Sequence, residues 1–154
     1  MLLLLGSPLA QEVKADGFTL EMSSPIIWDA PAVTTYQDKL TGLVVRMGVP
    51  KGFRVYGDQV LVTVGENEGL VFGAAELPVG VREVEDDRAT EGRAWYDRPI
   101  DIAIPIAEAS VGLHRVSLSL TAQGCRDGIC YPPTTTTREV YVQVHPGDGP
   151  AASR

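Results

Sequence analysis

The strongest constraint on what this chain can fold into is an alternation of apolar and polar residues with a period of two. Val116, Leu118, Leu120 and Ala122 alternate with Arg115, Ser117, Ser119 and Thr121. Val140, Val142 and Val144 alternate with Glu139, Tyr141 and Gln143, and Ile100, Ile102, Ile104 and Ile106 with Asp101, Ala103 and Pro105. Successive side chains of a strand point to opposite faces, so each run reads as a strand with one buried face. Residues 43–49 and 60–64 are more continuously apolar, as inner strands are. Residues 19–22 and 70–72 are weaker candidates. Pro105 has no N–H to give to a ladder, so its strand lies at an edge or ends there. No segment carries a 3.6-residue apolar stripe, and only residues 106–111 read as room for one helical turn.

Turn signals punctuate these runs: Pro50-Lys51-Gly52, Tyr56-Gly57-Asp58, the stretch from Gly65 to Gly69, and Pro78-Val79-Gly80. Many short alternating strands with regular turns predict an all-β fold, an immunoglobulin-like antiparallel β-sandwich over residues 11–145. The first ten residues, with a run of four leucines from Leu2 to Leu5 and small residues before Ala10, read as the tail of a secretory signal truncated at its start; a frayed apolar terminus fits them equally. Residues 146–154 have nothing to bury and read as a disordered tail. The one long polar break, 83–92, reads as a solvated loop, of the kind that can also serve as a binding loop.

Composition narrows the function. A length of 154 residues with 44% hydrophobic content suits one domain with a core that needs no metal or disulfide staple. Acidic residues outnumber basic ones 20 to 13, for a net charge of −7, which is the wrong field for nucleic acid. The basic residues are scattered rather than clustered against lipid, and no apolar run reaches the ~18–20 residues of a membrane helix. Hydrolytic motifs and phosphate loops are missing from the sequence. The two histidines, His114 and His145, read as strand-end residues. With Cys125 and Cys130 they match no common zinc spacing, so no metal is expected.

The cysteines carry the chemistry. They flank Arg126-Asp127-Gly128-Ile129. Asp-Gly between strands is a strong signal for a two-residue type I′ turn, whose central residues both need positive φ. Arg126 and Ile129 then close the turn as a hydrogen-bonded pair. Cys125 and Cys130 fall opposite each other at the next, non-hydrogen-bonded site, with Cα atoms ~4.5 Å apart. That lies near the short end of the disulfide range, so a cross-strand bridge is expected. Closing so short a loop stabilises by only about 2 kcal/mol on chain-entropy grounds. A bridge at an exposed hairpin end, near the short limit, is expected to be labile, which favours redox exchange over a structural staple. Arg126 beside Cys125 favours a thiolate, and Asp127 partly opposes it. The competing reading is a non-catalytic binding module whose disulfide only pins the hairpin.

The segment from Gln123 through Cys125, Cys130 and Tyr131-Pro132-Pro133 resembles the cysteine motif of the N-terminal periplasmic domain of the disulfide-interchange protein DsbD. Pro50-Lys51-Gly52-Phe53-Arg54-Val55-Tyr56 is similar to that family's Gly-aromatic strand, and Leu77-Pro78, an acidic loop and Trp95-Tyr96-Asp97-Arg98 are similar to its loop-and-strand region. The resemblance spans residues 34–144. It implies an immunoglobulin-like domain on the oxidising side of the bacterial envelope, acting as a protein-disulfide oxidoreductase component without a cofactor. It implies Cys130 as the residue that forms a mixed disulfide and Cys125 as the one that resolves it. A thioredoxin-like domain would supply electrons, and a disulfide isomerase or a cytochrome-maturation thioredoxin would accept them. Three departures stand out. Four residues separate the cysteines where many members have five, and the acidic loop lacks the aromatics that shield the site in the family. Shielding is then expected from Tyr56, Trp95 or Tyr131. The sequence also ends after the sandwich, so electrons are expected from a separate protein.

Overall fold

The computed structural model describes residues 25–81 and 94–148. The apolar amino terminus, the 19–22 candidate strand, the polar 83–92 stretch and the last residues of the tail lie outside the described residues. The described strands, in chain order, are β1 (Ile27–Asp29), β2 (Val33–Tyr36), β3 (Leu43–Gly48), β4 (Arg54–Tyr56), β5 (Leu61–Val64), β6 (Leu70–Phe72), β7 (Trp95–Tyr96), β8 (Ile100–Ile104), β9 (Ile106–Ala109), β10 (Gly112–Ala122), β11 (Gly124–Arg126), β12 (Ile129–Cys130) and β13 (Thr134–His145). A single 3-10 turn, Gly57–Gln59, interrupts them.

The chain is an all-β, immunoglobulin-like sandwich. One layer has the order β1-β3-β8 and the other β2-β13-β10-β5. Their facing side chains form the core: Leu43, Val45 and Met47 with Ile100, Ile102 and Ile104 from the first, Val116, Leu118 and Leu120 with Val140, Val142 and Val144 from the second. These are the alternating residues of the sequence, and the alternation has the physical origin expected of it, one face turned to the other sheet. The outer face of β10 and β13 is polar. Ser119 and Thr137 hydroxyls meet at 2.7 Å, Thr121 and Thr135 at 2.6 Å. Where polar residues fall on the inner side near the start of β13, Trp28 covers them: its Nε1 donates to Thr136 Oγ1 at 2.5 Å, and the Arg138 guanidinium lies 5.4 Å from its ring centre.

Several expectations are corrected. β5 is an edge strand, paired only with β10, and Leu61 on it is exposed. Its apolar run reflects Val62 and Val64 packing against the core from one side, not burial on both. Residues 106–109 form a strand rather than a helical turn, because β9 pairs with β6 and its backbone groups are satisfied there. Pro105 does end its strand, and its carbonyl accepts from Gly73 N–H at 2.8 Å. β2 pairs with β13 in parallel, the one parallel pairing among the described strands. A strand whose chain crosses to the opposite layer is not bound to pair with its sequence neighbour, so its direction is free. The beginning of the tail is held: Asp38 N–H donates to Gly147 O at 2.9 Å.

Truncating Leu118, fully buried between the layers, to Ala is expected to lower unfolding free energy by about 2–5 kcal/mol. Urea denaturation of the variant beside the parent measures this.

Candidate functional site

The turn between β11 and β12 adopts the conformation its sequence requires. Asp127 has φ 52° and Gly128 φ 78°, and Asp127 is the only non-glycine with positive φ among the described residues. Arg126 pairs with Ile129 and Cys125 with Cys130, the register that a two-residue turn dictates. One step further out Tyr131 N–H donates to Gly124 O at 2.9 Å. Cys125 and Cys130 form a disulfide, with Cα atoms 4.0 Å apart.

The hairpin is the edge of a small sheet ordered β12-β11-β4-β7. Cys125 lies opposite Arg54, and Tyr56 opposite Trp95. Residues directly opposite share a face, so the disulfide, Arg54, Tyr56 and Trp95 line one side of the sheet. Val55, Gly124 and Tyr96 turn to the other. Val55 and Tyr96 join the core there. The Tyr96 hydroxyl donates to Pro78 O at 2.6 Å, and burial raises its pKa above the usual 10.0, so it remains a neutral donor at neutral pH.

The two cysteines differ in exposure. Cys125 is buried, with 7% of its surface exposed, whereas Cys130 is exposed. Both open onto a concavity of about 470 Å³ lined by Gly52, Arg54, Tyr56, Arg126, Asp127 and Gly128 as well. A larger concavity, about 650 Å³, is lined by Trp28, Met47 and Arg138 among others; no cysteine lines it, and chemistry rather than size decides between the two.

Of the residues expected around the cysteines, Tyr56 and Arg126 line the concavity. Trp95 does not reach it but is buried on the same face, with the Arg54 guanidinium 4.4 Å from its ring centre. Tyr131 turns away, its ring 5.8 Å from that of Phe53. Arg126 also approaches Phe53, at 5.7 Å from the ring centre, and its Nε lies 3.6 Å from Asp127 Oδ2. Arg54, which the sequence motif does not single out, also lines the concavity. Its signal was present: it precedes Tyr56 by two in an extended segment and so shares its face.

The family described as "Thiol:disulfide interchange protein DsbD, N-terminal" matches residues 26–141. The chain belongs to that family. Among solved structures it is similar to the reduced DsbD N-terminal domain of Neisseria meningitidis, with 21% identity and a TM-score of 0.58 over 85% of this chain and 94% of that one. It is also similar to a chain from the complex between the DsbD and PilB N-terminal domains of the same organism, with 23% identity and a TM-score of 0.55 over 76% of this chain and 85% of that one. At this identity the likenesses establish the fold. No curated protein matches the chain.

Replacing Gly128 by Ala puts a Cβ on a left-handed residue. The expected cost is about 1–2 kcal/mol, read as a lower denaturation midpoint, with faster hydrogen exchange at the Tyr131 amide than in the parent.

Proposed function

We propose that this chain relays reducing equivalents by thiol–disulfide exchange, with Cys125 and Cys130 as the reacting pair. The observation that carries the reading is the asymmetric cross-strand disulfide, exposed at Cys130 and buried at Cys125, in a member of a thiol:disulfide interchange family. A nucleophile must approach in line with the S–S bond, and an exposed sulfur is the one a partner can reach. Burial keeps Cys125 from a bulky partner but leaves it beside Cys130, the position a resolving thiol requires.

The steps balance. A donor thiolate attacks Cys130 Sγ, forming a mixed disulfide and leaving the electron pair of the broken bond on Cys125 Sγ, which takes up a proton. The donor's second thiolate attacks the mixed disulfide, leaves as the oxidised donor, and frees Cys130 as a thiol. In the second half the Cys130 thiolate attacks an acceptor disulfide. Cys125 then displaces the acceptor as a dithiol, and the Cys125–Cys130 bond re-forms. No metal or cofactor takes part.

The donor in this reading is a thioredoxin-like domain, and the acceptor a disulfide isomerase or a cytochrome-maturation thioredoxin, in the periplasm. A complex between a DsbD N-terminal domain and a PilB N-terminal domain supports a protein domain as partner. No helix of the described residues is long and apolar enough to cross a membrane.

Reduced Cys125→Ser protein, mixed with an oxidised bacterial envelope extract, should give adducts through Cys130 that persist in non-reducing electrophoresis and vanish with dithiothreitol. Cys130→Ser protein should give none. Equal trapping by the two variants would remove the assigned roles, and trapping by neither would remove the function.

A further inference from the structure

The layers of the sandwich end in β1 and β8 on one side and in β2 and β5 on the other, and β5 is built unlike the rest. β8 is closed along its edge by Glu76, which exchanges both backbone bonds with Ala103, at 2.7 and 3.0 Å. β1 is three residues long and ends in Asp29. β2 turns back on itself through Lys39 N–H to Tyr36 O at 2.9 Å. Short strands, charges and covering segments keep an edge from pairing with another chain. The β5 strand, Leu61–Val64, carries no charge, no proline and no break in register.

The direction of its free backbone groups follows from the ladder. Gly65 N–H donates to Ser117 O at 2.8 Å, and the register continues with Thr63 opposite Ser119 and Leu61 opposite Thr121. Hydrogen-bonded pairs alternate along an antiparallel ladder, so Leu61 and Thr63 bond to β10. The N–H and C=O of Val62 and Val64 then point away from it. Neither valine has a hydrogen bond across that edge among the described residues. On the core side the edge borders a groove of about 510 Å³ whose lining includes Leu70, Phe72 and Ile104. On the outer face Leu61 and Thr63 are both exposed.

We propose that β5 is an interface for a second copy of this chain, paired antiparallel about a two-fold axis at Thr63. In that register Val62 of each copy lies opposite Val64 of the other, and every outward N–H and C=O of the valines is used. Thr63 meets its own counterpart, extending the hydroxyl pairs Ser119–Thr137 and Thr121–Thr135 of the same face. Leu61 falls opposite Gly65, the one residue of this segment without a side chain, which leaves room for it. The valine side chains brought by the second copy sit over the apolar groove. A segment that complements itself in this way selects its own copy over an unrelated strand. Leu61 marks the end of β5 nearest the cysteine hairpin, since it lies opposite Thr121. The two hairpins therefore fall at opposite ends of the joint sheet, and Cys130 stays exposed in both.

Sedimentation velocity over graded protein concentrations should show one copy passing to two. Salt should strengthen the association, because each copy carries −7. Val62→Pro removes an outward N–H that β10 does not use, and should raise the dimer dissociation constant roughly tenfold or more. Thr63→Lys and Thr63→Glu each set like charges against each other across the axis and should weaken the dimer. An equimolar mixture of the two should associate more tightly than either alone, by roughly two- to fivefold. Amide exchange at Val62 and Val64 should slow as the protein concentration rises. A single-copy mass at every concentration overturns the proposal, as does a dimer that Val62→Pro leaves unchanged. A mixture no tighter than its components overturns the two-fold pairing at Thr63. Val62 and Val64 amides already protected in dilute protein would mean that the edge is covered within one chain, which overturns it too.

Discussion

The antiparallel pairing of β10 with β13 is the constraint on which the rest of the structure depends. It runs unbroken from Gly112 opposite Val144 to Ala122 opposite Thr134. It places Val116, Leu118 and Leu120 with Val140, Val142 and Val144 on one face, and so supplies one wall of the core. The chain between its ends is the cysteine segment, which the ladder holds closed at Ala122 and Thr134. The hairpin is therefore anchored at its base by the longest pairing among the described strands. Beyond the ladder it leaves that layer and pairs with β4, which presents Cys125 to Arg54.

That anchoring bears on what the disulfide is for. The turn closes on Arg126 and Ile129, and Tyr131 N–H binds Gly124 O beyond the cysteines. Cross-linking residues that the backbone already holds together adds only about 2 kcal/mol on chain-entropy grounds. Aromatic residues pack on both sides of this sheet: Phe53 joins the core on one side, and Trp95 lies against the Arg54 guanidinium on the other.

Much of this could be read in the sequence, because the determining interactions are local. Alternation specified the inner faces of β8, β10 and β13, since side-chain direction follows from backbone geometry alone. Asp127-Gly128 specified the turn, and the turn specified the Cys125–Cys130 pairing. What failed depended on distant partners. The run 60–64 is as apolar as an inner strand, yet β5 is an edge because no strand follows it beyond β10. Residues 106–109 became a strand only through pairing with β6. The spacing of Arg54 and Tyr56 puts them on one face, whereas the place of Arg54 opposite Cys125 follows from the cross-strand register. Tyr131 follows Cys130 in the motif, and the structure sets its ring beside that of Phe53, a contact the motif alone does not specify.

The central claim is that the Cys125–Cys130 bond is made and broken in function. Its reduction potential, obtained by equilibrating the protein in graded dithiothreitol or glutathione buffers and counting free thiols by mass, tests this most directly. Exchange with thioredoxin-like partners predicts a value above about −300 mV. A bond that resists reduction until well below that potential is a structural staple, and would contradict the account.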